Sequence, residues 1–261
     1  MTLDLGIAGR TAIVCASSRG LGRGCASELA RAGCRVVVNG RDAGTLRRTA
    51  DELTAATGAE IIPVAGDLST PEGRAAVLAA APEPDILVNN NGGPPLRDFR
   101  DVDHEALLAG IEANMASPIA LVQAVIDGMV ARRFGRIVNI TSFSVKMPVA
   151  GLDLSSGARA GLTGFLAGVA RSVAHANVTL NFLLPGSFDT DRIRSNYAAA
   201  AEQEGVEADE IARRRLASIP AGRLGEPGEF GAACAFLCSA RAGYITAQSI
   251  VVDGGAYPGI L

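Results

Sequence analysis

Lysine is almost missing from this chain: of 24 basic side chains only Lys146 is a lysine. Arginine stands nearly everywhere that any cation would do, and lysine titrates where arginine cannot, so Lys146 is a candidate proton carrier unless it is a chance survivor on a loop. Histidine is nearly as scarce, with His104 and His175 alone. The five cysteines (Cys15, Cys25, Cys34, Cys234 and Cys238) show no paired CxxC spacing and no neighbouring histidine. That pattern speaks against a zinc site and leaves the thiols as small buried hydrophobes. An excess of positive charge is also missing. The net charge is -3 with a pI near 5.5, and the arginines are dispersed, which excludes nucleic acid or an anionic membrane surface as the main partner. No apolar run approaches the ~20 residues of a membrane span. The opening MTLDLGIAGR has no charged-then-apolar leader pattern, so a cytoplasmic protein is expected.

What is present is enough apolar residue, 48% of 261, to build one large core, and a single domain over 1–261 is expected. Continuous β-branched runs at 11–16, 35–39, 61–65, 85–89, 136–141, 178–183 and 249–253 alternate with helical stretches. Unbroken apolar runs suit strands covered on both faces, and strict strand–helix alternation implies an α/β fold with a parallel sheet and right-handed crossovers. The long departure from this rhythm, 186–225, is charged and alanine-rich, as expected of a lid or substrate-binding insertion.

Chemistry-bearing residues gather where strands end. After the first strand come Ser17, Ser18, Arg19, Gly20, Leu21 and Gly22, with a helix expected from about Arg23. Glycines there let a backbone approach a pyrophosphate at a helix amino terminus. The second strand ends on Arg41, where a carboxylate would bind an adenosine ribose but a guanidinium suits a 2′-phosphate; with Arg19 it favours NADP over NAD. Asp42 reads as the cap of the next helix. The third strand leads to Asp67 and Leu68, and the fourth to the amide run Asn89, Asn90, Asn91 and Gly92, ending in Pro94 and Pro95. In the helix expected over 104–132, Pro118 has no N–H and removes the helical partner of the Asn114 carbonyl, which gives either a plain kink or a carbonyl free for another donor. The stretch 137–161 carries Ser142, Lys146, Ser155 and Arg159 at a strand edge and helix start, with Asp153 placed as a helix cap. Arg213, Arg214 and Arg215 read as a solvated face.

Taken together these residues resemble the short-chain dehydrogenase/reductase family over 11–255. Cys15 to Gly22 corresponds to TGxxxGxG, Asp67 and Leu68 to the adenine contact, and Asn89 to Gly92 to NNAG. Asn114, Ser142, Pro185 and Gly186 with Thr190, and Tyr244 to Gly255 follow in the family's order. The resemblance implies a Rossmann-like, doubly wound, seven-stranded parallel sheet, an NADP(H) cofactor, a small-molecule substrate and assembly as a homotetramer or homodimer. It also implies a cofactor contact for each of Ser17 to Gly22, Arg41, Asp67, Leu68, Asn90, Asn91, Gly92, Arg159, Pro185, Gly186 and Thr190.

Two departures stand out. Ala16 occupies the first glycine position, which requires a backbone that alanine can adopt. Counting thirteen residues from Ser142, the catalytic YxxxK falls on Ser155 and Arg159, and none of Tyr197, Tyr244 and Tyr257 lies near. Serine is a far weaker acid than tyrosine, and arginine can hold a ribose but cannot titrate. Three readings stay open. One is an oxidoreductase acting on a small, potentially anionic substrate, with the proton supplied by Lys146, by water at Asn114, or by Tyr197. The second is a non-redox isomerase, dehydratase or carbon–carbon lyase, and the third is a silent dinucleotide binder.

Overall fold

The computed structural model describes residues 4–93 and 96–259, so Pro94 and Pro95 of the amide run lie outside the described residues. Seven parallel strands form one sheet in the order β3-β2-β1-β4-β5-β6-β7. They are β1 (Thr11–Val14), β2 (Arg35–Gly40), β3 (Ile61–Ala65), β4 (Ile86–Asn89), β5 (Gly135–Ile140), β6 (Val178–Pro185) and β7 (Ser249–Val252). Successive side chains of a strand face opposite ways. Val36 and Val38 therefore enter one core, with Leu46 and Phe230, while Val37 enters the other, with Leu121 and Leu166. The first core lies under α1 (Gly20–Arg31), α2 (Ala43–Thr57) and α9 (Pro227–Cys238); the second lies under α3 (Pro71–Ala80), α5 (Ser117–Ala131) and α6 (Asp153–Val173), while α4 (His104–Ile111) adds no side chain to it. Chain order reverses between β1 and β4, and the crevice at such a switch point is where open α/β sheets bind ligands.

Helix starts differ from expectation in two places. Helix α1 begins at Gly20, not near Arg23, so the glycine turn is itself the first helical turn. Asp153 is not a cap: Leu152 precedes the helix without a side-chain bond, and Asp153 is the first helical residue, where its charge suits the helix dipole. Asp42 does cap α2, accepting from the Thr45 N–H.

Between α4 and α5 lies a π turn, Glu112–Ala116, immediately before Pro118. A wider turn is how a helix absorbs a residue that cannot donate. The external donor at this break is Asn91 Nδ2, on the Ala113 carbonyl at 3.0 Å. By length and composition alone the continuous helical run His104–Ala131, with an 18-residue stretch of mean hydropathy 1.3, could cross a membrane. Leu121, Val122, Val125 and Met129 nevertheless bury one side of it in the second core.

Helices α1 and α9 meet through glycine. A Cβ on Gly24 would lie 2.2 Å from the Pro227 carbonyl oxygen, and one on Gly231 would lie 2.3 Å from that of Gly24. Backbone cannot yield as a side-chain tip can. Gly24→Ala is therefore expected to destabilise by about 1–3 kcal/mol despite its better helix propensity. Gly164→Ala, on open α6 surface, should stabilise by up to about 1 kcal/mol. Urea midpoints of the two variants check this, and a stabilised Gly24→Ala would refute the close helix contact.

Candidate active site

The turn after β1 is built to hold its shape. Ala16 has φ +44°, the left-handed region, which alanine disfavours but adopts here. Two neighbours hold it: its N–H donates to Asn39 Oδ1 at 3.3 Å, and its carbonyl accepts from Asn90 Nδ2 at 3.1 Å. Ser17 is fully buried, donating to the Val14 carbonyl and accepting from the Asn39 N–H. Its hydroxyl is thus spent on the turn. The Ser18 carbonyl is fixed by Thr49 Oγ1.

Beyond the turn, no side chain caps α1 and no acid occupies its first turn. The N–H groups of Gly20, Leu21 and Gly22 have no intrahelical acceptor, which makes this terminus suited to an anion. Thr190, the cap of α7 (Asp191–Glu204), stands over it, with Cγ2 3.4 Å from where a Cβ on Gly20 would be. Pro185 and Gly186 lead from β6 towards that threonine, and Asp253 packs directly on Gly186. Arg19 and Arg41 are exposed at the neighbouring end of β2, and neither is in an ion pair among the described residues. Asp67 and Leu68 turn the chain into α3: Asp67 Oδ1 accepts from the Ser69 N–H, and the Leu68 carbonyl accepts from Arg74. These features fit a phosphorylated dinucleotide laid across the carboxyl ends of the strands.

At the other end of the crevice, Arg159 lies on α6 one turn after Ser155, and both are buried. Arg159 Nε donates to Ser155 Oγ at 3.2 Å, Nη1 to the Ile140 carbonyl at 2.6 Å and Nη2 to the Asn91 carbonyl at 3.3 Å. The guanidinium thus ties α6 to β5 and to the amide run. Burial, and secondarily the nearby Arg192, pushes its pKa down to about 10, so it stays charged at neutral pH. Such a cation without a carboxylate is a cost that an anionic ligand would offset. Asn114 borders the same spot, and its Oδ1 is buried without a hydrogen-bond partner.

Ser142 opens a short 3-10 turn after β5. Its Oγ accepts from the Ser144 N–H at 3.2 Å and from Ser144 Oγ at 2.9 Å, and Ser144 accepts from Ser156 Oγ at 2.9 Å. Ser142 is thereby left with its own O–H to donate outward. Sequence reading missed Ser144 and Ser156 as site residues, although their i+2 and i+14 spacing from Ser142 was visible. Lys146, in the same loop, has its ammonium 5.8 Å from the centre of the Tyr257 ring, at the C-terminal tail. Tyr197 packs with Ala201 and Ile211 in a small core between α7 and α8 (Ala208–Ala217). Burial raises its pKa and its hydroxyl has no partner, which makes it a poor acid. Arg213 and Arg214 are exposed and paired with Glu210 or Glu204, as a solvated face should be.

Comparison with known proteins agrees with this geometry. The family described as enoyl-(acyl carrier protein) reductase matches residues 15–257. The chain is 34% identical to 3-oxoacyl-(acyl-carrier-protein) reductase of Vibrio cholerae, over 97% of this chain and 99% of that one. It is 32% identical to an L-rhamnose 1-dehydrogenase of Azotobacter vinelandii, over 95% and 96%. Among solved structures, L-sorbose reductase from Gluconobacter frateurii, complexed with NADPH and L-sorbose, superposes with TM-score 0.93 at 27% identity, covering 99% of this chain and all of that one. A 3-oxoacyl-(acyl-carrier-protein) reductase from Agrobacterium tumefaciens with NADP bound gives TM-score 0.86 at 31% identity, covering 97% of each chain. An uncapped helix behind a glycine turn, amides ordering the strand ends and a serine loop facing a buried cation thus sit on a sheet shared with these enzymes, and the chain belongs to the short-chain dehydrogenase/reductase family of oxidoreductases acting on C–OH and C=O groups.

Proposed function

We propose that the protein is an NADP(H)-dependent oxidoreductase of a small carbonyl or alcohol substrate whose active site is atypical, with Ser155 and Arg159 where the family carries tyrosine and lysine. The observation that carries the cofactor assignment is the unpaired Arg19 and Arg41 beside the uncapped start of α1. The NADPH and NADP complexes among its structural neighbours support it. When bound, the nicotinamide supplies or accepts a hydride at the substrate carbon. The chain's own residues do the rest. Arg19 and Arg41 hold the 2′-phosphate, and Gly20 to Gly22 and Thr190 hold the pyrophosphate. Asp67 and Leu68 border the adenine, while Asn90, Asn91, Gly92, Pro185 and Gly186 frame the nicotinamide end. Arg159 donates to the ribose hydroxyls and keeps a positive charge beside the nicotinamide, Ser142 donates to the carbonyl oxygen, and the 186–225 segment closes over the substrate. Lys146 and water at Asn114 remain the candidate proton sources; Tyr197 is set aside by its burial. Exposed Leu107, Leu108 and Phe165 on α4 and α6 offer an apolar face for a homodimer or homotetramer.

Calorimetric titration with NADPH and NADH tests the assignment. A charge-assisted contact is worth about 1.5–3 kcal/mol. Arg41→Ala should therefore weaken NADPH about 10- to 100-fold and leave NADH nearly unchanged. Equal losses for both, or none, would overturn the NADP assignment, and failure of wild type to bind either would overturn the dinucleotide reading.

A further inference from the structure

Between α4 and the start of α6 the described residues line a half-open cavity of about 290 Å³. One wall is a stripe of α4 and its π turn, Ala106, Ala109 and Ala113, spaced three or four residues apart so that all face one way. Leu152 and Leu154 form the opposite wall. The floor is tight, since a Cβ on Gly110 would meet Leu154 at 2.6 Å, and the loop carrying Arg97 is tied to the α6 side by its N–H, which donates to the Gly151 carbonyl at 3.1 Å. The room therefore comes from small side chains on α4 and α6, not from a gap in the backbone.

Three polar residues border this largely apolar space: Ser155 and Asn114, which are buried, and Arg97, which is exposed. Asn114 is 3% exposed, and its amide is half satisfied: Nδ2 donates to the Gly110 carbonyl while Oδ1 has no partner. A buried acceptor in that state calls for a donor. Ser155 joins the cavity to the Arg159 site, and a ring at that position would take up the space its hydroxymethyl leaves open.

We propose that this cavity is a substrate subsite, taking an apolar group of about two fused rings, or an alkyl chain of similar bulk, that carries a hydroxyl or N–H donated to Asn114 Oδ1. The size follows from comparison: an apolar cavity of about 150 Å³ holds one benzene ring, and this one is roughly twice that. The chemical class follows from the alanine and leucine walls and the one unsatisfied acceptor. The assignment of the occupant as substrate rests on the oxidoreductase reading above; the capacity to bind such a group does not.

The test is calorimetric binding of 2-naphthol, an apolar two-ring body with one donor, to the NADPH-loaded protein and to the protein alone. Wild type should bind it in both forms, and Ala106→Phe, which fills the cavity from α4, should weaken it at least about tenfold while NADPH affinity stays unchanged. Ala106→Leu, a smaller filling, should give an intermediate loss and serves if the phenylalanine variant does not fold. No binding by wild type, or equal binding by wild type and both variants, would overturn the subsite. 2-Methoxynaphthalene, which lacks the donor, should bind about tenfold more weakly; equal affinity would overturn the role of Asn114. Loss of NADPH binding by wild type would sink the cofactor reading alone, because the naphthol measurement without cofactor would still stand.

Discussion

Replacing Ser155 with tyrosine and Arg159 with lysine together is expected to raise NADPH-dependent reduction of a ketone panel by about 10²-fold or more, the scale of one positioned general acid. The geometry for such a pair already exists. The two positions are one turn apart on α6, on one helix face, and Arg159 Nε donates to Ser155 Oγ at 3.2 Å. A serine hydroxyl cannot release a proton usefully near neutrality, whereas a phenol of ordinary pKa about 10 can be drawn down by an adjacent cation. The alanine-walled cavity next to Ser155 gives the new ring room to lie without displacing backbone. Ser155→Tyr alone should give a smaller gain, since the Arg159 guanidinium is anchored on the Ile140 and Asn91 carbonyls and cannot follow the new phenol as a lysine ammonium can. Initial rates by nicotinamide absorbance measure the effect, and the double variant should acquire a basic limb in its pH–rate profile. Unchanged turnover would mean that a missing acid does not limit this site, and product formed without any absorbance change would favour the non-redox reading.

Arg136→Ala should destabilise the fold by about 3 kcal/mol or more, because each buried acceptor stripped of its donor costs about 1–3 kcal/mol. Arg136 is the second residue of β5, is 1% exposed and has no carboxylate partner among the described residues. Its Nε donates to the Ser239 carbonyl at 2.9 Å, Nη1 to the carbonyls of Gly135 and Asn177 at 2.8 Å each, and Nη2 to Asn177 Oδ1 at 3.1 Å. The guanidinium carbon also lies 4.4 Å from the Phe134 ring centre. Three segments far apart in sequence therefore lose a common donor at once. Burial lowers its pKa, since leaving water disfavours the charged form. A urea midpoint measures the loss, and a change below about 1 kcal/mol would mean that water replaces the guanidinium without strain.

Much of the frame is legible in the chain alone. The apolar strand runs match β1 to β7 within a residue or two, because strands buried on both faces carry few charged residues and so stand out from the helices between them. The glycine turn, the Asp42 cap and the Pro118 break are legible for the same reason: each is a local property of a few consecutive residues. The left-handed Ala16 is not, since alanine has no preference for that region and is held there by Asn39 and Asn90, 23 and 74 residues away. Nor is the hydroxyl chain Ser142, Ser144 and Ser156, which forms only when the β5 loop folds back onto α6.

The sequence by itself determined the alternating fold, the glycine turn, the arginines beside it and the serine and arginine at 155 and 159 that we propose stand in for an acid and its partner. Those are decided by residue type and spacing along one chain direction. Only the tertiary structure decided what the substitution does to space and charge: Arg159 is anchored on two backbone carbonyls, Lys146 sits by Tyr257, and a cavity opens beside Ser155. Burial, orphaned acceptors and empty volume are relations between segments brought together from opposite parts of the chain, and no local pattern encodes them.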